Sequence, residues 1–487
     1  MSEQLNSKIK TATKWSAITE VIAKLVAPIT NMVLARLLTP DAFGIISTIH
    51  MIISFAEIFT DAGFQKYIVQ HQYKNEKHQD ESINVAFWSN FTVSLFIWAI
   101  IVLFCTPLAE LVGNPGLGYV IVIACVSIPL ASFSSIQMAL YRRNLDFKTL
   151  FKVKIVGVIM PLVVTIPLAL VLRNFWALLI GIIAKDLVNA FILTYYSHWK
   201  PRLYFSFQRL KEMFAFTMWS MIEHISIWLT VYVDVFIVGT MLSQHYLGLY
   251  KTSTNVVNQV MSLITVTTTP ILFSSLSRLQ DNMDEFKSLF FKFQKMVGML
   301  VIPIGVGIFC FSDLVTRIML GEQWLEASDF IGLWGLTSSI SIVLSNYCSE
   351  VYRALGKPKL SVLAQWLHII VLWPTVIISV RYGFETLYVN RAIVRLQMIL
   401  VNLLILHFVV RISIRKMILN IGDSLVAASI MGGGYLLLKL YLPQTIYMEI
   451  CCIPLCVVIY FAIMLRKAEH KELLLSILKN RKRRNEK

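Results

Sequence analysis

The chain has 487 residues, 57% of them hydrophobic and only 15% charged, with 44 Lys and Arg against 28 Asp and Glu for a net charge of +16. A water-soluble globule with a mean hydropathy of +0.68 would expose a largely apolar surface, so that class is excluded. The excess positive charge resembles a nucleic-acid footprint, but its placement assigns it to a membrane surface and leaves nucleic acid out as a partner.

Fourteen apolar stretches of about 20 residues, each long enough to cross a bilayer, are expected at 15–38, 43–64, 84–108, 117–140, 153–173, 175–196, 213–241, 246–275, 291–316, 327–352, 360–380, 384–410, 420–440 and 444–465. Basic residues alternate between the gaps. Lys8, Lys10 and Lys14 precede the first stretch, Lys66, Lys74 and Lys77 follow the second, and Arg142, Arg143, Lys148, Lys152 and Lys154 follow the fourth. The pattern continues after every even-numbered stretch and ends in a basic tail with Arg481, Lys482, Arg483 and Arg484; it takes in 34 of the 44 basic residues. Only Arg36, Arg173, Arg317, Arg381 and Lys439 fall in the other gaps. Basic residues stay on the cytoplasmic side, so both termini are expected there, with the loops and tail against anionic lipid headgroups. The first fifteen residues are too polar for a signal peptide, and the first helix serves as its own insertion signal. The seven cysteines fall in or at the ends of apolar stretches and read as small buried hydrophobes rather than a disulfide framework or metal site. No loop is long enough for a soluble domain.

An internal repeat is legible. "ARLLTPDAFGIIS" after the first stretch is similar to "GTMLSQHYLGLYK" after the seventh, aligning Gly44 with Gly248. Cys105 aligns with Cys310, and Arg142 of "LYRRNLDFK" with Arg353 of "VYRALGKPK". The offsets span an even number of crossings, so the two copies share one orientation, as in parallel-repeat transporters. The expected organisation is a six-helix lobe over 1–204, a second over 205–415, an additional helix pair over 416–466 and a basic tail over 467–487. The fold class is all-α and polytopic, with two lobes around a central cavity.

"LARLLTPDAFGIISTIHMIISFAEIFTDAGF" at 34–64 resembles the first helical hairpin of the bacterial Wzx-type polysaccharide-repeat flippases. "VDVFIVGTMLSQHYLGLYKTSTNVVN" at 233–258, "ILFSSLSRLQDN" at 271–282, "GEQWLEA" at 321–327 and "RALGKPKL" at 353–360 resemble further segments of that family in the usual order. These flippases belong to an exporter superfamily that also holds multidrug and peptidoglycan-precursor transporters. The resemblance implies a bacterial inner-membrane protein that moves an undecaprenyl-diphosphate-linked oligosaccharide from the cytoplasmic to the outer leaflet for surface polysaccharide synthesis. It also implies functional association with a polysaccharide polymerase and glycosyltransferases. The last helix pair departs from a twelve-helix plan, though fourteen spans occur in the superfamily.

Such a cargo needs cations for its diphosphate and hydrogen-bonding or stacking groups for its sugars. Ionisable residues inside spans are costly and mark function by default. Glu20 and Lys24 lie four apart on one face of the first stretch, with Asn31 about two turns on. They form either a neutralising pair or a phosphate-binding Lys24 restrained by Glu20. Arg391 and Arg395 share a face with no acid nearby in sequence, and suit either bidentate phosphate contact or an ion pair with another helix. Lys185 and Asp186 are adjacent and expected on different faces, with Lys185 a further substrate candidate and Lys251 a weaker one. Glu57 and Asp61, and Glu223 and Asp234, form same-face acidic pairs suited to binding and releasing H+ or Na+, or to stapling helices. "DVFIVG" around Asp234 matches the family pattern. Trp219 and Trp228 suit either sugar stacking or packing, and Gly432, Gly433 and Gly434 read as close helix packing rather than a nucleotide loop. No cofactor is expected beyond a coupling ion, and no motif indicates an enzyme. The alternative is a cation-coupled multidrug antiporter of the same fold, which would favour an acidic aromatic cavity over the basic residues found here.

Overall fold

A computed structural model describes residues 2–60, 64–197, 199–357, 359–441, 445–467 and 471, with side chains left aside at 2–10, 12–14, 17, 214–217, 219–220 and 222–223. Asp61 and nearly all of the basic tail lie outside the described residues, as do the side chains of Glu223 and Trp219. Among the described residues fourteen helices are long and apolar enough to cross a membrane, and they correspond one for one to the expected stretches. The fold class is the all-α polytopic one read from the sequence.

Helix ends differ from the expected bounds because hydropathy reports only the bilayer part of a helix, whereas capping sets where it starts. The third span begins at Glu76, well before its apolar portion, because the Asn75 side chain accepts the His78 N–H at 2.7 Å. The ninth begins at Met283, where Asn282 accepts from Glu285. The seventh starts at Phe207, well before the stretch expected from hydropathy. The fifth span is interrupted by a π turn at Pro161–Thr165, where proline's missing N–H removes a helical hydrogen bond.

The chain forms two compact units, Met1–Lys251 and Thr252–Lys487, which meet within the eighth helix, Gln244–Ser277. In the first unit the first span packs on the fifth, the fourth on the third and sixth, and the second on the seventh. The short helix Phe64–Gln70 seals one end with Tyr67 and Ile68 against Phe87 and Ile136. Gly44 and Gly248, the residues aligned by the repeat, meet here reciprocally. A Cβ on Gly44 would overlap the Gln244 carbonyl, and one on Gly248 the Pro40 carbonyl, so both helices approach backbone to backbone.

In the second unit the ninth span packs on the tenth and thirteenth, and the tenth on the twelfth. The tenth is the core, with 78% of its apolar window buried, against 17% for the fourteenth on the periphery. The additional helix pair is held by polar contacts to the ninth span. Asn420 donates to the Phe291 carbonyl at 2.8 Å, and the Tyr460 hydroxyl to the Met299 carbonyl at 2.9 Å. Gly432 lets the thirteenth helix approach Val306 and Cys310, whereas Gly433 and Gly434 face open space.

Candidate functional site

A cavity of about 340 Å³ opens inside the first unit, lined by Asn31, His50, Gly157, Thr165, Gly181 and Lys185 among others. Its shape follows from the sequence. Gly181 gives the sixth helix room to pass the Thr165 hydroxyl, which a Cβ there would overlap. The π turn ends at Thr165, which therefore points into this gap. Asn31 lies on the face of the first helix that also presents Ala27 and Leu34 to the cavity. Lys24 continues that face one turn earlier.

Lys185 brings a cation to this cavity. His50, exposed in the second helix, lines the same cavity as Lys185. The Lys185 ammonium lies 3.3 Å from Asp186 Oδ1. That corrects the expected separation of these neighbours, because a lysine's four-carbon stem curls back across the helix surface. Lys251, two turns into the eighth helix, sits 5.1 Å from the Tyr232 ring centroid. Tyr232 stacks on Trp228 at 5.6 Å, and Trp228 tilts against Phe55 at 4.9 Å. The Trp228 indole N–H donates to Ser54 at 3.1 Å. Trp228 is thus held in an aromatic column that ends at a cation.

The Glu20–Lys24 pair does not form. Glu20 instead bonds Lys154 of the fifth helix at 2.5 Å, since the first and fifth helices pack together and bring a second cation within reach. Lys24, half-buried, has no hydrogen-bond or ion-pair partner among the described residues. In the second unit Arg391 and Arg395 share a face, as their spacing predicts, and both lie over Trp334 of the tenth helix, at 5.3 and 3.6 Å from its ring centroid. Arg395 also donates to the Ser338 hydroxyl. Trp334 carried no signal in the sequence beyond being one aromatic among many.

Of the acids, Asp234 is buried, 6% exposed. It accepts the Tyr250 hydroxyl at 2.7 Å and its neighbour Val235 N–H at 2.8 Å, joining the seventh and eighth helices. Glu57 is exposed on the second helix. His50 was missed in the sequence because a lone histidine in an apolar run is usually core; only the packing shows it lining the same cavity as Lys185.

Residues 33–329, more than half of the chain, match the family described as "Polysaccharide biosynthesis protein". Among similar proteins, the succinoglycan biosynthesis transport protein ExoT of Rhizobium meliloti (strain 1021) is 22% identical over 71% of this chain and 70% of its own length. The lipopolysaccharide biosynthesis protein WzxC of Escherichia coli (strain K12) is 23% identical over 66% of this chain and 65% of its own. Among solved structures, the lipid II flippase MurJ in an inward closed conformation superposes with a TM-score of 0.71 at 14% identity, covering 92% of this chain and 97% of that one. An inward-facing multidrug MATE transporter gives 0.61 at 12% identity, covering 81% and 96%. These two establish the fold, and the match over residues 33–329 establishes that the chain belongs to the polysaccharide biosynthesis protein family.

Proposed function

We propose that this protein is a flippase that carries an undecaprenyl-diphosphate-linked oligosaccharide from the cytoplasmic to the outer leaflet of a bacterial inner membrane by alternating access. The observation that carries the reading is the cavity among the spans of the first unit lined by Asn31, His50, Thr165 and Lys185, in a chain of a polysaccharide biosynthesis family. The Lys185 ammonium at this cavity suits a phosphate-bearing cargo better than a cationic drug, which argues against the antiporter reading. Lys24 extends the same helix face one turn beyond the cavity lining, and Arg391 and Arg395 add positive charge in the second unit. Asp234 is the foremost candidate for coupling to H+ or Na+, with Glu57, Asp61 and Glu223 behind it. Both termini are assigned to the cytoplasm by the basic loops, and a polymerase and glycosyltransferases are its functional neighbours. The names of ExoT and WzxC, from succinoglycan and lipopolysaccharide synthesis, support this assignment.

The test is deletion in the native host, with the leaflet of accumulated lipid-linked repeat unit and the surface polysaccharide both measured. Trapping on the cytoplasmic side, reversed by wild type and by Lys185→Arg, is expected. Lys185→Ala, which loses a charge-assisted phosphate contact of about 1.5–3 kcal/mol, is expected to weaken cargo binding at least about tenfold. Unchanged polysaccharide without a trapped intermediate, in a host with no second flippase, would remove the reading.

A further inference from the structure

A second polar cavity, of about 350 Å³, lies in the first unit at the end that carries the basic loops, away from the membrane cavity described above. Its walls are Glu76, Gln79 and Asp80 from the start of the third span, Tyr141 and Asn144 from the end of the fourth, and Trp199 from the segment after the sixth. Glu76 and Asp80 are four apart and share a helix face, with Gln79 beside them. The wall is preorganised. The Trp199 indole N–H donates to Asp80 Oδ1 at 3.2 Å, and the Ser197 hydroxyl donates to the Trp199 carbonyl at 2.8 Å. The Arg202 N–H donates to Asn84 Oδ1 at 2.7 Å, and the Trp88 indole N–H donates to the Arg202 carbonyl at 2.8 Å. The aromatic side chain and its loop are therefore clamped to the third helix.

Against this fixed frame, several polar groups are unspent. Among the described residues the carboxylate of Glu76 and the side-chain amides of Gln79 and Asn144 have no hydrogen-bond partner, nor has the Tyr141 hydroxyl. Two carboxylates, two amides, a phenol and an indole around one small cavity make a specific chemical set. Planar acceptors and donors take up vicinal hydroxyls, and an indole offers an apolar face to ring C–H groups. The volume lies within the ~300–1,000 Å³ range of small-ligand sites. Charge narrows the choice. Among the described residues Glu76 has no ion-pair partner, and Asp80 has Arg202 at 3.7 Å beside the Trp199 indole, so an anionic ring would meet carboxylates. A simple cation would leave the amides and the phenol unused. We infer that this cavity is a subsite for an uncharged pyranose of the cargo, selecting against uronic acids before the lipid-linked sugar enters the membrane cavity. The selection step rests on the flippase reading, whereas the pyranose site itself does not.

The experiment is saturation-transfer difference NMR on the full-length protein in lipid nanodiscs. The probes are methyl glycosides of glucose, galactose, mannose, N-acetylglucosamine and glucuronic acid. At least one uncharged pyranoside is expected to receive saturation, and the glucuronide none. Glu76→Gln and Asn144→Ala, at exposed or half-exposed positions outside the apolar packing, should each weaken that signal at least fivefold, and Glu76→Gln should admit the glucuronide. Silence from all four uncharged probes, or an equal signal from the glucuronide in wild type, overturns the inference without depending on any variant. A signal that survives both substitutions in folded protein does the same. Rescue of polysaccharide in a flippase-deleted host separates the two ideas. Rescue by wild type and equally by both variants sinks the selection step and leaves the flippase. Failure of wild type sinks the flippase, with the NMR result still deciding the pyranose site.

Discussion

Replacing Tyr250 with Phe removes one oxygen, the hydroxyl that donates to Asp234 Oδ2 at 2.7 Å between the seventh and eighth helices. The tyrosine is 1% exposed and the aspartate 6%, so neither group can turn to water when the other is lost. Hydrogen bonds between helices in membrane proteins average about 0.6 kcal/mol and reach about 1.7. A short, fully buried bond to a carboxylate belongs near the top of that range, so a coupling of about 1.5 kcal/mol is expected in a double-mutant cycle of Tyr250→Phe with Asp234→Ala. Asp234 has further contacts, so its single substitution should cost more than that of Tyr250. Reversible unfolding in mixed micelles of lipid-like detergent and SDS, followed by helix content, reads the cycle. Additivity within about 0.3 kcal/mol would refute the bond as a staple. The same variants separate structure from transport. Asp234→Asn is expected to abolish polysaccharide rescue at normal protein level, while Tyr250→Phe keeps it. Full rescue by both would leave Asp234 a packing residue and take it out of ion coupling.

Gly44→Val should lower the thermal midpoint of the purified protein by an overpacking penalty of about 1–3 kcal/mol, because its Cβ meets a backbone carbonyl that cannot swing aside. Gly433→Ala, with nothing within 4 Å, should leave the midpoint unchanged or raise it; equal losses from both would refute the close-approach argument. Arg395→Lys should cost about 1 kcal/mol, since an ammonium cannot lie flat on Trp334 as the guanidinium does at 3.6 Å. Arg391→Lys, at 5.3 Å, should cost less, and a reversed order in the same melting assay would count against the stack. His71, on the short segment after Phe64–Gln70, is held below the ordinary histidine value by burial first and by His78 next. The unfolded chain therefore binds the proton more readily, so stability is full above pH ~6.5 and falls as pH drops from there toward the depressed folded value. Hydrogen-exchange protection of residues 64–73, taken relative to the intrinsic rate at each pH, should fall between about pH 7 and 5 in wild type and less in His71→Gln; an equal fall would exclude His71 as the cause.

Much of this architecture is written along the chain. A bilayer demands about 20 apolar residues per crossing, so the fourteen spans were countable from hydropathy alone, and segments such as 34–64 were sufficient to identify the family. Spacing also placed Arg391 and Arg395 on one face, because the helical period is local. What the sequence could not supply is which helices touch. Glu20 has a cation four residues away yet bonds Lys154, 134 positions on, because ion pairs form across packed helices as readily as along one. His50 became a site residue only when packing placed it at the cavity that Lys185 of the sixth helix also lines. Trp199 and Glu76 lie far apart in the chain, and the cavity between them exists only after the segment behind the sixth helix folds onto the third. Hydropathy and period are properties of one segment in its solvent, whereas a site is a property of several segments at once, set by packing that no single stretch encodes.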